Sequence, residues 1–371
     1  MDTAHEADRA PGAPHPRETL RLLGQSAAEA EFLNAYRAGR LHHAWLLTGP
    51  RGVGKATLAW RIARFLLATP ADDGGLFDDT PPAPTSLDID PDHPVAHRML
   101  ALSEPRLFLL RRAWDADRER LRQDITVEPV RKLKEFFGLS AADGGRRVVI
   151  VDAADEMNVN AANALLKLLE EPPSDTVLLL VCHQPSRLLP TILSRCRALR
   201  CNGLAPPDIA AALAQAGVEP PGDPAALAAL SGGSVGGALR LITLDGLTLY
   251  ADLIAIFASP SDRQRALKLA DSVAGRAAAD RLDLTLDLFD LFLARLARTG
   301  VTGPPEPQAA PDEAALLARL APDAGAGRRW AELQQSLGAR ARHGRAVNLD
   351  PAALILDMVL KIHETAAETA A

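Results

Sequence analysis

Seven residues, Gly49-Pro50-Arg51-Gly52-Val53-Gly54-Lys55, carry a spacing that can hold phosphate. Glycines at 49, 52 and 54 let backbone N–H groups turn inward around an anion at a helix start, and Lys55 adds a point charge suited to β and γ phosphates. The next residue is Ala56, followed by Thr57. A hydroxyl at position 56 would be needed to bind the Mg²⁺ that rides on the nucleotide. About a hundred residues later, Val148-Val149-Ile150-Val151 ends in Asp152, the type of residue that holds such a metal through water. Ala153 follows where a water-activating glutamate would stand, and neither Asp155 nor Glu156 can replace it without a change of register.

These residues need a strand, a turn and a helix to position them. Ala44-Trp45-Leu46-Leu47-Thr48 reads as a buried strand, and 57–67 repeats apolar residues at helical spacing through Leu58, Ile62, Phe65 and Leu66. Further buried strands over 148–151 and 176–181 alternate with helices, notably 161–171, which Pro172-Pro173 stops. Alternation of this kind predicts an α/β domain with a parallel sheet flanked by helices.

With 371 residues the chain calls for two or three domains, and with 47% hydrophobic but 4% aromatic residues its packing rests on Ala, Leu, Val and Ile. That balance favours helices. The acidic, Pro-containing start, residues 1–19, lacks an apolar stretch and is expected to be a disordered tail rather than a signal or an anchor. The Asp-, Pro- and Gly-rich stretch 69–94 reads as a long surface insertion. Residues 20–202 form the expected P-loop domain, 203–243 a small helical lid broken by Pro220-Pro221-Gly222 and Gly232-Gly233, and 244–371 an all-helical third block.

The net charge of −6 argues against a free-standing nucleic-acid binder. Arg131, Lys132 and Lys134 could face DNA phosphates, though a solvated helix face is the simpler reading. Cys182, Cys196 and Cys201 show no metal spacing and no disulfide framework, which fits a cytoplasmic protein, and His42-His43 lack a third ligand for zinc. No run of about 18 apolar residues is present, so no membrane span is expected.

Taken together, His43 to Leu47, the glycine loop, Val151-Asp152-Ala153-Ala154, Asn163-Ala164-Leu165-Leu166-Lys167, Leu169-Glu170-Glu171-Pro172-Pro173 and Thr191 to Cys196 resemble the bacterial clamp-loader branch of the AAA+ family. The resemblance covers residues 20–245 well. It implies an AAA+ P-loop domain, a lid and a carboxyl-terminal collar that joins a pentamer, with Asn348-Leu349-Asp350-Pro351 opening the closing helix. It also implies partners: gamma/tau-type and delta subunits, and through them a sliding clamp and primer-template DNA in the polymerase III holoenzyme.

Asp-Ala-Ala in place of Asp-Glu resembles the family's non-hydrolysing subunit, which offers the arginine of its Ser-Arg-Cys motif, here Ser194-Arg195-Cys196, to a neighbour's ATP site. Ala56, Ala153, Cys182-His183 at the first sensor and Gly236 at the second depart together from an active member. The expectation is no intrinsic ATPase, no required cofactor, and a P-loop whose ATP or ADP binding the residues leave open. The rival reading is an active gamma/tau-type ATPase. No zinc is expected, since the zinc module that many relatives carry after the first helix has no counterpart in 69–94, which contains no Cys.

Overall fold

The computed structural model describes residues 6–69, 83–138, 145–259, 261–275 and 278–370. Half of the expected insertion, 70–82, lies outside the described residues, as does the start of the tail, 1–5. The chain divides into two compact units, residues 1–212 with 234–236, and residues 213–233 with 237–371.

The first unit is built on a five-stranded sheet of β1 (Ala44–Thr48), β2 (Leu107–Arg111), β5 (Arg147–Asp152), β6 (Thr176–Cys182) and β7 (Arg197–Arg200), in the order β2-β5-β6-β1-β7. All neighbours pair in parallel, with Leu46 opposite Leu180 and Ala198, and Ile150 opposite Leu109 and Leu179. A short antiparallel pair, β3 (Trp114–Asp115) and β4 (Arg120–Leu121), stands apart. Strands buried on both faces read as continuous apolar runs, and β5 and β6 are buried along almost their whole length. This is why 148–151 and 176–181 were legible in sequence. The outer strands were not: β2 is only half-buried and β7 alternates Arg-Ala-Leu-Arg, so neither presents the run that marks a central strand.

Helices α1 (Ser26–Arg37), α2 (Lys55–Ala68), α3 (Pro94–Leu100), α4 (Val127–Gly138), α5 (Val159–Glu170) and α6 (Pro190–Leu193) complete most of this unit. α2 is buried nearly all round, with Trp60 and Ile62 fully enclosed. Asn158 caps α5 by accepting the Ala161 N–H at 2.9 Å, so the helix begins at Val159, two residues before its expected start. On α4 the basic residues Arg131, Lys132 and Lys134 face solvent while Val130 and Leu133 enter the core.

The tail expectation fails from residue 6 onward. His15 is wholly buried with its ring edge-on to Trp60 at 5.7 Å, and the Arg64 guanidinium donates to the Arg17 carbonyl at 2.8 Å. Ionic partners and one buried imidazole anchor this segment, so a scan for apolar periodicity passes over it.

Helices α7 (Pro206–Gln215), α8 (Pro224–Ser231) and α9 (Val235–Thr243) follow, then α10 (Gly246–Ala258), α11 (Arg263–Ser272), α12 (Ala279–Thr302), α13 (Glu313–Leu320), α14 (Ala324–Ala346) and α15 (Pro351–Ala370). Gly300 and Gly327 let α12 and α14 approach closely: a Cβ on Gly300 would lie 2.8 Å from the Gly327 Cα. The second unit encloses one charged cluster. Glu313 accepts from Arg295 Nε at 2.6 Å, Arg295 Nη2 at 3.1 Å, the Tyr250 hydroxyl at 2.6 Å and the Ala309 N–H at 2.6 Å. Arg295 also donates to the Pro307 carbonyl at 3.1 Å, so this cluster ties α10, α12 and α13 to the Pro-rich connection between the last two.

Removing one member of a buried pair strands the other charge, at a cost of about 3–5 kcal/mol. Glu313→Ala is expected to lower the stability of the helical unit by that order, read as an earlier urea transition by far-UV circular dichroism. A midpoint unchanged from wild type would show that the cluster contributes nothing.

Candidate functional site

In a parallel sheet the carboxyl ends of the strands gather at one edge, and the chemistry-bearing residues gather there too. The loop after β1 places Gly49, Gly52 and Gly54 at positive φ, and Gly54 leads into α2. Glycine is required twice over at the first two positions. A Cβ on Gly49 would lie 2.1 Å from the Cys201 carbonyl oxygen, and one on Gly52 would lie 2.3 Å from Ser234 Oγ. The Val235 N–H donates to the Gly52 carbonyl at 2.9 Å, which docks the second-sensor segment against the loop. Ala56 and Thr57 sit half-buried in the first turn of α2.

Lys55 folds back onto its own loop, donating to the Gly49 carbonyl at 2.7 Å and the Pro50 carbonyl at 2.5 Å. Burial brings its ammonium down to about 8. Asp152 ends β5 at the same edge, two strands from β1. Burial, reinforced by the charges of Asp8 and Glu156 and opposed by Lys55 and Arg51, pushes its carboxyl up to about 7. At neutral pH, with no metal ion beside it, the group is therefore only partly ionised.

Asp155 and Glu156 do structural work. Asp155 accepts the N–H groups of His183 at 2.9 Å and Gln184 at 3.1 Å, fixing the chain that leaves β6. Glu156 pairs with Arg51 of the loop at 2.8 Å and with Arg112 at 2.7 Å. His183, at the first sensor, is held down to about 4 by burial and by the charges of Lys55 and Arg51, and so is neutral. Cys182 beside it is pushed up to about 12, chiefly by burial. Among the described residues no three His, Cys, Asp or Glu side chains converge on a metal position. No single helix among them is long and apolar enough to cross a membrane.

Arg195 lies at the other edge. It precedes β7 by two residues, and Arg197 pairs with Trp45 near the start of β1, whereas the glycine loop follows the end of β1. A five-residue strand at about 3.3 Å per residue separates the two edges by roughly 15 Å, beyond the reach of an arginine side chain. The guanidinium donates to the Thr191 carbonyl at 3.0 Å and pairs with Glu170 at 3.0 Å, with 35% of the Arg195 side chain exposed. Thus the structure gathers the loop and Asp152 and sets Arg195 apart from them.

Sequence reasoning missed Gln25, whose amide donates to the Val53 carbonyl at 3.0 Å and the Asn202 carbonyl at 2.7 Å. It also missed Arg111 at the end of β2, opposite Asp152 in register, and Asp8 beside it. None of the three belongs to a motif; sheet pairing places Arg111, and its ion pair with Asp8 and the Gln25 hydrogen bonds join the others to the same edge.

A parallel sheet of order β2-β5-β6-β1-β7, with a glycine loop after β1 and an aspartate ending β5, defines the P-loop domain of an AAA+ protein. The family model described as DNA polymerase III, delta subunit, matches residues 24–205, just under half of the chain, and over these residues the chain is similar to that family. DNA polymerase III subunit delta' of Pseudomonas aeruginosa is 42% identical over 205 residues, covering 54% of this chain and 55% of that protein. The Escherichia coli subunit delta' is 32% identical over 228 residues, covering 58% and 59%. A gamma/tau subunit of Mycobacterium tuberculosis is 29% identical over 187 residues, covering 48% of this chain and 28% of that protein. The chain thus matches little more than half the length of its delta' relatives.

Burial would raise the Asp155 carboxyl, but the two N–H donors and His183 outweigh it and hold the group below the usual carboxylate range. A carboxylate depressed in the folded state contributes stability that is complete above its unfolded value, near 3.9, and is lost as pH falls through the lower folded value. Asp155→Asn should therefore lower the urea midpoint of the P-loop unit at pH 7, with the gap to wild type closing below about pH 4. Equal midpoints at pH 7 would contradict the role given to Asp155.

Proposed function

We propose that this chain is the delta-prime-type subunit of a bacterial clamp loader, acting in the cytoplasm without hydrolysing ATP itself. It offers Arg195 to the ATP site of a neighbouring gamma/tau-type subunit while the sliding clamp is loaded onto primed DNA. The observation that carries the reading is the separation of Arg195 from its own loop by the width of the sheet. An arginine that cannot reach its own site, and that stands partly exposed on a short helix end, is suited to act in trans.

The state of the loop's edge supports the same reading. Ala56 supplies no metal hydroxyl, Ala153 no base, Gly236 no cation, and Asp152 is half-protonated near neutrality. Any one could be tolerated; together they favour a loop that does not hydrolyse ATP. A guanidinium stays charged and presents a planar fork, so beside a γ-phosphate it stabilises charge that grows during transfer. Releasing it from Glu170 costs little, since an exposed pair of this kind contributes about 0.2–1 kcal/mol.

Arginine fingers supplied in trans accelerate hydrolysis by about 10³–10⁵. In a reconstituted loader, Arg195→Ala should silence one ATP site, lowering total turnover only in part and clamp loading further. Arg195→Lys should rescue poorly because a point charge does not reproduce the fork. The isolated wild-type chain should show no turnover. Wild-type rates in the Arg195→Ala complex would overturn the role in trans, and ATPase of the isolated chain lost on Lys55→Ala would favour the gamma/tau reading.

We further propose that residues 244–371 form the collar through which the chain assembles. A chain truncated after Thr243 should keep the P-loop unit folded by circular dichroism yet fail to co-elute with the other subunits; retention in a stable pentamer would refute this.

A further inference from the structure

The amino-terminal segment does not merely cover the P-loop unit; it runs into the mouth of the phosphate loop. The Ala10 Cβ lies 4.0 Å from where a Cβ on Gly236 would stand, and the Gly236 nitrogen lies 3.0 Å from where a Cβ on Gly52 would stand. Two residues earlier, Asp8 is fully buried against Arg111, the register neighbour of Asp152 at the end of the sheet. The segment then leaves along α2, past Trp60, and Leu22 places a methyl 2.7 Å from where a Cβ on Gly54 would lie.

Charge holds it there. Glu6 pairs with Arg17, with Arg9 at 3.2 Å and, more loosely, with Arg111 at 3.7 Å. Asp8 pairs with Arg111 and lies 3.1 Å from His15 Nε2, a contact bent away from good hydrogen-bond geometry. The Arg17 N–H donates to His15 Nδ1 at 3.0 Å, which leaves Nε2 as the nitrogen that carries hydrogen toward Asp8. Glu18 closes the turn, accepting from Arg9 at 2.8 Å and from the His15 N–H at 2.9 Å.

We propose that residues 6–18 are a built-in occupant of the nucleotide cleft, held there by Asp8 and Glu6 on Arg111, by His15 against Trp60 and by the Arg17 carbonyl on Arg64, which excludes adenine nucleotides from the loop. Three physical consequences converge on exclusion. The chain at Ala10 stands against Gly236, which itself lies on Gly52 of the loop. Two carboxylates stand at an edge where a nucleotide would bring further negative charge, and like charges within a few ångströms repel strongly away from water. Arg111, the cation in register with Asp152 at this edge, is already paired with Asp8. The ammonium of Lys55 is likewise spent on loop carbonyls. The inference is independent of the role given to Arg195, which is tested in the assembled complex and at the opposite edge of the sheet.

The test uses the full-length chain and a fluorescent ADP analogue, mant-ADP. Wild type should show no saturable binding at micromolar concentrations. Asp8→Asn, which keeps the side-chain volume, and the double variant Glu6→Ala/Asp8→Ala should bind at least about tenfold more tightly, the loss of roughly one charge interaction. Adding Lys55→Ala should abolish the gained binding, locating it at the loop. A second measurement fixes the position of the segment whatever the affinity. Ala10→Cys with Gly236→Cys places two Cβ atoms within the usual 3.5–4.5 Å of a disulfide, so mild oxidation should form one intramolecular bond. Carried on the Glu6→Ala/Asp8→Ala background, that disulfide should remove mant-ADP binding and reduction should restore it. Failure of the cysteine pair to cross-link, or carboxylate variants that bind no better than wild type, would overturn the proposal, as would unimpaired binding by the cross-linked chain.

Discussion

All five strands of the main sheet run the same way, so whatever follows a strand collects at one edge and whatever precedes a strand collects at the other. The glycine loop, Asp152, His183, Arg111 and Cys201 all follow strands. Glu170 and Arg195 precede them, in the connections into β6 and β7. One chain can therefore present an anion-binding edge and an arginine-bearing edge that never meet. In a ring of similar domains, such polarity lets one member's arginine edge meet the next member's loop edge.

The loop edge retains the backbone of a phosphate site while its side chains have been reassigned. The glycines are still required because the Cys201 carbonyl and Ser234 leave no room for a Cβ. Lys55 and Glu156, free in principle to serve a nucleotide, are consumed by the loop itself through the Gly49 and Pro50 carbonyls and through Arg51. Asp155, next to the lost base position, serves as an acceptor for two N–H groups at the end of β6. The loop is the strand-to-helix turn of the unit, and its shape is fixed by the close packing of Gly49 on Cys201 and of Gly52 on Ser234.

The helical unit depends on a different interaction. Four donor groups from three residues converge on the Glu313 carboxylate, two of them from an arginine that also holds the Pro307 carbonyl. Burying a charge is costly unless its partners are complete, and here they are. The cluster sets the path of a connection rich in proline, which cannot pair its own backbone. Gly300 and Gly327 meanwhile bring the two longest helices of this unit into backbone contact, a closeness that larger residues would forbid.

Residue order alone determined the α/β class, the central strands and the phosphate-loop turn, because each is a local property: an apolar run or a glycine spacing. It determined the Ser194-Arg195-Cys196 motif but not where the arginine points. Tertiary structure decided that, since only strand order and direction put Arg195 across the sheet from Lys55. It also decided the outer strands β2 and β7, whose half-exposed residues carry no strong period, and the place of Glu6, Asp8 and His15. A charged stretch without apolar periodicity reads as a solvated tail. It becomes ordered only when Arg111, from a strand end, and Trp60 and Arg64, from a helix, all distant in the chain, are brought together around it. Partners of that kind have no signature in spacing, because what selects them is proximity created by the fold.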